Sequence, residues 1–216
     1  MNQIFDYPEL WQQALVGTLV LFFAGGAIAL VLGFIVGAMR VSPIPVARAV
    51  GAIYVNVIRN TPLTLVLFFF AFAVPILIEV PRGSFLVLAI AGLGIYTATY
   101  VAETLRSGIN TVPVGQAEAA RALGMGFGQV MGYVVLPQAA RSVIPPMMSV
   151  LIALLKNTTV ASGFSVLNLG SIRANMSENG ENQMITILLV MAVFVALVLL
   201  LAWLQRSLEQ KWRIAR

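Results

Sequence analysis

Cysteine and histidine are both absent from this chain of 216 residues. Their absence excludes disulfides, thiol nucleophiles, imidazole bases and the commonest zinc ligands. We expect no metal ligands and no catalytic residues in this chain. Charge is also scarce. Only 10% of the residues are charged, whereas soluble domains usually have about a quarter. Because 60% of the chain is hydrophobic, the composition predicts an integral membrane protein.

The sequence also contains no phosphate-binding GxxxxGKS/T loop, so the chain is not expected to bind or hydrolyse ATP by that route. Its net charge of +5 does not indicate a nucleic-acid partner, because the basic residues lie in short loops between hydrophobic segments and at the C-terminus. We see no convincing internal repeat, which argues against a transporter built from two inverted halves.

Five hydrophobic segments are long enough to cross about 30 Å of hydrocarbon as helices. They cover residues 12–39, 60–78, 83–102, 142–155 and 182–205, and the fourth is expected to continue past Lys156. An amphipathic stretch, IPVARAVGAIYVNVIR, leads into the second. The prediction is an all-α protein with one transmembrane domain over residues 11–213 and about five membrane helices.

Lysine and arginine are concentrated on one side of these segments. That side follows the first, third and fifth segments, and its basic residues are Arg40, Arg48, Arg106, Arg121, Arg141, Arg206, Lys211, Arg213 and Arg216. The opposite side has Arg82 and Arg173, together with several carboxylates. Because cytoplasmic loops carry the excess of basic residues, we expect the N-terminus outside and the C-terminus in the cytoplasm. The link between the third and fourth membrane helices is then cytoplasmic.

That cytoplasmic link, residues 114–138, reads VGQAEAARALGMGFGQVMGYVVLPQ. Its first part consists of good helix formers, and its alanines leave a slim surface that another protein can approach closely. Gly124, Gly126 and Gly128 are expected to end this helix and to permit a tight reversal. A solvated connector is the alternative for a loop of this size. The EAARALG run, followed after twelve residues by Pro137, argues against it.

The spacing in this loop resembles the EAA motif of permease subunits of bacterial ABC importers. The matching residues are Glu118, Ala119, Ala120, Gly124, Leu136 and Pro137. Three further runs resemble the polar amino-acid subfamily of these permeases: RNTPL at 59–63, ETLRSGI at 103–109 and KNTT at 156–159. With four motifs in this order, the chain is identified as a member of that family.

The resemblance implies a short coupling helix that docks into a groove on a cytoplasmic ATPase. It assigns ATPase coupling to Glu118, Ala119, Ala120, Arg121, Gly124, Leu136 and Pro137. The implied partners are two ATPase subunits, a second permease subunit (this chain or a sister chain), and an extracytoplasmic solute-binding protein. ATP and Mg would be bound by the ATPases, and this chain would bind no cofactor. The implied location is the bacterial cytoplasmic (inner) membrane.

Polar and ionisable groups at membrane depth are costly, by about 2.5–3.5 kcal/mol for charged residues on insertion scales, so we treat them as candidates for the substrate path. They are Arg59, Asn60, Thr61, Pro62, Lys156, Asn157, Thr158, Thr159 and Ser162. Alternatives stay open, since Arg59 and Lys156 can snorkel to an interface. The pair Thr61-Pro62 can act as a flexing point within a helix.

Glu103 and Arg106 are spaced i, i+3 near the cytoplasmic end of the third segment. This spacing favours a structural ion pair, which keeps both charges tolerable, over a direct role in binding substrate.

The leading hypothesis is a permease that moves a polar amino acid into the cytoplasm by alternating access, driven by partner ATPases. Asn157 stands where many relatives have aspartate, which favours an acidic substrate (glutamate, aspartate) or a neutral one (glutamine) over a cationic one. Alternatives are an ABC permease for an osmolyte or another small solute, an ion-coupled transporter or channel, and a membrane scaffold. The docking loop and the order of the motifs argue against the last two.

Overall fold

The computed structural model describes residues 6–81 and 84–212. Within these ranges the chain is helical and forms no strand. The helices are α1 (Pro8–Val41), α2 (Pro45–Asn60), α3 (Leu63–Leu77), α4 (Phe85–Ile109), α5 (Val114–Ala122), α6 (Phe127–Phe164), α7 (Ile172–Glu178) and α8 (Gln183–Trp212). Four residues used in the predictions, Arg82, Gly83, Arg213 and Arg216, lie outside the described residues.

Four of the described helices, α1, α4, α6 and α8, are each long and apolar enough to cross a membrane, and the bent pair α2–α3 is a fifth candidate. This agrees with the predicted all-α membrane fold of about five spans. The short helix α5 lies between the third and fourth of these spans, as expected from the alanine-rich sequence.

The second span differs from the prediction at its start. Helix α2 ends at Asn60, α3 begins at Leu63, and the two axes meet at 100°. Thr61 is extended, with φ −87° and ψ 131°, because proline disfavours helical conformation in the residue before it. Thr61-Pro62 is therefore the corner between two helices, whereas the sequence predicted a flexing point inside one.

The fourth span is much longer than predicted, because α6 begins at Phe127 and covers 38 residues. Gly128, which we expected in the reversal, lies inside this helix, and so do Leu136 and Pro137. A wide π-helical turn, Val130–Val135, comes just before Pro137. Such turns interrupt the α-helical hydrogen-bond pattern without ending the helix. Pro145 and Pro146 also lie within a continuous helical segment.

Helices α1 and α4 run in the same direction and form the most extensive helix pair of the fold. A Cβ atom built on Gly33 would lie 2.5 Å from Val101 Cβ, and one built on Gly94 would lie 2.6 Å from Ile28 Cγ2. These positions admit only glycine at the observed helix separation, since small residues let membrane helices approach closely. The α1–α4 pair forms a rigid support on which α6 packs.

The end of the bundle remote from α5 is closed by the segment between α6 and α8. The Leu169 N–H donates to Thr18 Oγ1 at 2.9 Å, which fastens this segment to α1. Ile172 and Met176 of α7 are fully buried in a cluster with Trp11. By contrast, only 6% of the most apolar 18-residue stretch of α8 is buried within the chain. Helix α8 therefore presents most of its surface outward, as expected for contact with lipid.

Candidate functional site

Two adjoining cavities follow the line where α4 packs against α6. The larger is about 430 Å³, and its polar lining residues are Tyr96, Thr97, Tyr100, Ser149 and Asn157. The smaller is about 220 Å³, and its polar lining residues are Arg59, Tyr100, Glu103, Thr104, Ser107, Thr111 and Ser142. Because Tyr100 lines both cavities, they form one track, called here the α4–α6 groove.

Helical periodicity produces the two walls of this groove. On α4 the residues Tyr96, Tyr100, Glu103 and Ser107 follow the i, i+4, i+7, i+11 pattern of a single helix face. On α6 the lining residues Ser142, Pro146, Ser149, Ala153 and Asn157 likewise share one face. The walls are thus two polar stripes on otherwise apolar helices.

The larger cavity is lined by apolar side chains together with neutral hydroxyl and amide groups, and none of the described residues that line it is charged. The hydroxyls of Tyr96 and Tyr100 are hydrogen bonded to each other at 3.0 Å. The Thr97 hydroxyl is buried and has no hydrogen-bond partner among the described residues. Buried polar groups are normally paired, so this hydroxyl is available to a bound molecule or to water.

The smaller cavity contains a charged cluster around Glu103. Its Oε1 accepts hydrogen bonds from Arg106 Nε at 3.0 Å and from Arg106 Nη2 at 2.5 Å. Its Oε2 lies 3.4 Å from Arg40 Nη2. Glu103 therefore joins α1 to α4 as well as pairing within α4. The sequence predicted the Glu103–Arg106 pair but not the contact with Arg40. Arg40 ends the first charge-free segment, which places it at the same membrane boundary as Glu103.

Arg59 and Asn157 are the predicted path residues that the structure places on the groove. Arg59 Cζ lies 5.2 Å from the centroid of the Tyr100 ring, which is cation–π geometry. Tyr96, Tyr100 and Ser149 also line the groove and were missed. The sequence did contain a signal for them. Tyr96 and Tyr100 share one helix face with Glu103, and Ser149 shares one with Asn157.

The other predicted path residues line neither cavity. Near the α2–α3 corner, Asn60 Nδ2 donates to the Asn56 carbonyl at 2.7 Å and Thr61 Oγ1 donates to the Val57 carbonyl at 2.8 Å. Pro62 is the residue that precedes the first turn of α3. These side chains shape the corner and support Arg59.

In the KNTT run, the hydroxyls bond back to their own helix. Thr158 Oγ1 donates to the Leu155 carbonyl at 2.7 Å, Thr159 Oγ1 to the Lys156 carbonyl at 2.8 Å, and Ser162 Oγ to the Thr159 carbonyl at 2.7 Å. Thr158 is fully buried, whereas Lys156 is exposed. Lys156 is thus beside the groove and points away from its cavities.

The predicted docking loop begins with α5 and the turn that follows it. Gly124 has φ +81°, the left-handed conformation that glycine adopts without strain. The Gly124 N–H donates to the Arg121 carbonyl at 2.9 Å, and the Met125 N–H donates to the Ala120 carbonyl at 3.2 Å. This pair of bonds is the Schellman cap, which ends the helix and satisfies its last carbonyls.

The two alanines of the EAA motif face opposite ways. Glu118, Ala119 and Arg121 are exposed. Ala120 is 6% exposed and belongs to a buried cluster with Val130 and Val135 of α6. We expected Ala120 to contact the ATPase; helical phase instead turns it toward α6, where it packs inside the permease chain. Leu136 and Pro137 remain exposed near the base of α6.

Residues 29–214 match a family model described as the inner membrane component of binding-protein-dependent transport systems. The chain belongs to this family. The permease is 44% identical over 176 residues to the glutamate transport system permease protein GluC of Corynebacterium glutamicum, covering 77% of this chain and 76% of that one. It is 37% identical over 155 residues to the probable glutamine ABC transporter permease protein GlnP of Bacillus subtilis, covering 70% and 68%.

A solved structure gives the same result for the fold. The permease superposes on a chain of "an amino acid ABC transporter with histidines" with a TM-score of 0.89 and 27% identity, covering 97% of both chains. The predicted resemblance to ABC permeases and the all-α membrane fold are thereby confirmed. So is the assignment as a transport component.

Proposed function

We propose that this permease translocates a polar amino acid with an acidic or amide side chain into the bacterial cytoplasm. The observation that carries the proposal is the α4–α6 groove, in which polar side chains recur along an otherwise apolar bundle. Its larger cavity of about 430 Å³ lies in the range of about 300–1,000 Å³ typical of small-ligand pockets. The names of the glutamate and glutamine permeases among its relatives support this substrate class.

The proposed orientation places α5 and the C-terminus in the cytoplasm and the segment containing α7 outside. In this arrangement α5 docks on a cytoplasmic ATPase that binds ATP and Mg. The complete importer would contain two ATPases, a second permease subunit (this chain or a sister chain), and an extracytoplasmic binding protein at the α7 end. Its site would be the bacterial cytoplasmic membrane.

The coupling mechanism follows from how α5 is attached. The cluster of Ala120, Val130 and Val135 joins α5 to the base of α6, and Gln138 Nε2 donates to Gln116 Oε1 at 2.5 Å. Helix α6 is one wall of the groove, and α4, braced on α1, is the other. When ATP binding draws the ATPases together, α5 would carry α6 relative to α4 and switch the groove between outward and inward access.

Two groups of predicted residues keep proposed roles outside the groove. Lys156 and its hydroxyl neighbours would line the part of the path completed by the second permease subunit, since an exposed ammonium at membrane depth is costly against lipid. Glu103 with Arg106 would brace the cytoplasmic end of α4 and leave substrate contacts to other groups.

The test is uptake of labelled glutamate, aspartate, glutamine and arginine by cells lacking the gene, with and without the gene restored. We expect uptake of glutamate, aspartate or glutamine to disappear and return with the gene. ATP depletion should block it, whereas dissipation of ion gradients at constant ATP should not. Equal uptake in both strains for every amino acid, with a difference for an osmolyte, would assign the permease to that solute class instead.

A further inference from the structure

Arg59 is a cation on the groove that forms no salt bridge with the described residues. Glu103 is the only carboxylate among the described residues that line the two cavities. Both of its oxygens are already engaged, Oε1 by Arg106 and Oε2 by Arg40. No salt bridge to Arg59 occurs within the described part of the chain. Because both Glu103 oxygens are paired with other arginines, the Arg59 guanidinium is able to bind a different anion.

The guanidinium lies where the two cavities meet. It stands over the ring of Tyr100 at 5.2 Å, and Tyr100 is the residue shared by both linings. Arg59 itself lines the smaller cavity, while the Tyr96–Tyr100 hydroxyl pair faces the larger one. The guanidinium is therefore within reach of a molecule in the smaller cavity, next to the residue that both cavities share.

The helix that carries Arg59 is fixed in place. Tyr54 Oη donates to the Ile95 carbonyl of α4 at 2.7 Å, which fastens α2 across the bundle. Beyond Arg59, the Asn60 and Thr61 side chains bond back to α2. The backbone that carries Arg59 is thus held in position before any ligand arrives, and such preorganisation reduces the entropy lost on binding.

A planar guanidinium forms paired, charge-assisted hydrogen bonds with a carboxylate. We propose that Arg59 binds a carboxylate of the transported amino acid at the junction of the two cavities, leaving the rest of the substrate to the neutral hydroxyl and amide groups of the larger cavity. This inference rests on the function proposed for the permease. The bound group is either the α-carboxylate, present in every amino acid, or a side-chain carboxylate, present only in acidic ones.

The experiment uses the permease assembled with its ATPase and binding protein in lipid vesicles, and measures ATP-driven uptake of labelled glutamate and glutamine. For Arg59→Gln we expect kcat to fall about 10- to 100-fold, the range for losing a hydrogen bond to a charged group. The KM for loaded binding protein should not change, since Arg59 lies away from the α7 end. Arg59→Lys keeps the charge without the planar fork, so its kcat should fall by less than that of Arg59→Gln.

The matched control is Arg48→Gln on the same helix. Arg48 donates to the carbonyls of Ser42 and Pro43 and lines neither cavity, so its loss should leave kcat near the wild-type value. Copurification with the ATPase and basal ATP hydrolysis check that each variant assembles. Should Arg59→Gln fail this check, Arg59→Lys decides the question.

Comparing glutamate with glutamine distinguishes binding of the α-carboxylate from binding of the side-chain carboxylate. A loss for glutamate and glutamine alike supports binding of the α-carboxylate, and a loss for glutamate alone supports binding of the side chain. Wild-type uptake of both substrates by an assembled Arg59 variant overturns the inference and leaves the proposed function standing. A wild-type complex that transports neither these nor any other amino acid overturns the proposed function, and this inference with it.

Discussion

Gly124 sets the shape of the docking loop through one backbone angle. A Cβ atom at this position would meet nothing within 4 Å, so space does not require glycine here. The requirement comes from φ +81°, where a side chain clashes with its own backbone. The Schellman bonds of Gly124 and Met125 depend on that angle, and through them so does the exit of the chain toward α6.

We therefore expect Gly124→Val to cost about 1–2 kcal/mol or more at this turn and to abolish most ATP-driven uptake while the protein remains in the membrane. Uptake and the membrane level of the permease measure the two effects. Gly128→Val is the matched control, because Gly128 lies in regular helix and its Cβ would also meet nothing within 4 Å. Full transport by Gly124→Val would show that the left-handed cap is dispensable.

At the scale of elements, a wide turn precedes a proline in two different spans. In α3 the π-helical turn Phe69–Ala73 comes before Pro75, and in α6 the turn Val130–Val135 comes before Pro137. Proline has no N–H to donate, so no backbone hydrogen bond of the proline is lost when the helix departs from α-helical geometry there. In α6 this turn lies between α5 and the groove-lining part of α6. It therefore sets how far α5 is rotated about the helix axis relative to the groove wall.

Replacing Pro137 with alanine restores an N–H donor. We expect the turn to narrow to α geometry, which changes the register by one residue and rotates α5 relative to the groove wall. ATP hydrolysis by the assembled importer should continue, and the amount of amino acid moved per ATP should fall several-fold. The measurement is uptake and phosphate release in the same vesicles.

Pro145→Ala serves as the control for this variant, because Pro145 lies in the same helix but within an α-helical segment. Its ratio of uptake to ATP hydrolysed should match that of the wild type. An unchanged ratio for Pro137→Ala would remove the π turn from the coupling path and leave it a passive feature of the span.

For the whole molecule, the absence of cysteine makes the proposed orientation directly measurable. Single cysteines at Leu123, which is 84% exposed at the end of α5, and at Asn179, exposed after α7, should react differently with a membrane-impermeant thiol reagent. In intact spheroplasts we expect labelling at position 179 alone. Position 123 should be labelled after the membrane is permeabilised, and the reverse pattern would invert the topology.

The sequence predicted elements best where the signal was local and long. Three of the predicted spans correspond to α1, α4 and α8, because a charge-free apolar run is sufficient to indicate a membrane helix. The prediction failed where a glycine was read as part of a break. Gly128 lies inside α6, since a helix held by its neighbours tolerates residues that would end an isolated one.

The residues of the candidate site show the same contrast between local signals and contacts made across the fold. Arg59 and Asn157 were found because each stands in a motif that can be read along the chain. Tyr96, Tyr100 and Arg40 were missed because their roles depend on a neighbouring helix. Ala120 was assigned to the ATPase, although it packs within the permease, because a motif does not state which side of a short helix faces outward.

The sequence by itself determined that this is a multi-span permease, because apolar length and motif spacing are properties of contiguous residues. Only the tertiary structure decided that α4 and α6 enclose a groove with polar side chains, that Glu103 is shared by two arginines, and that Arg59 forms no salt bridge with the described residues. In a membrane both lipid-facing and protein-facing surfaces are apolar, so composition does not reveal which helix faces meet. That choice is made by packing between segments far apart in the chain.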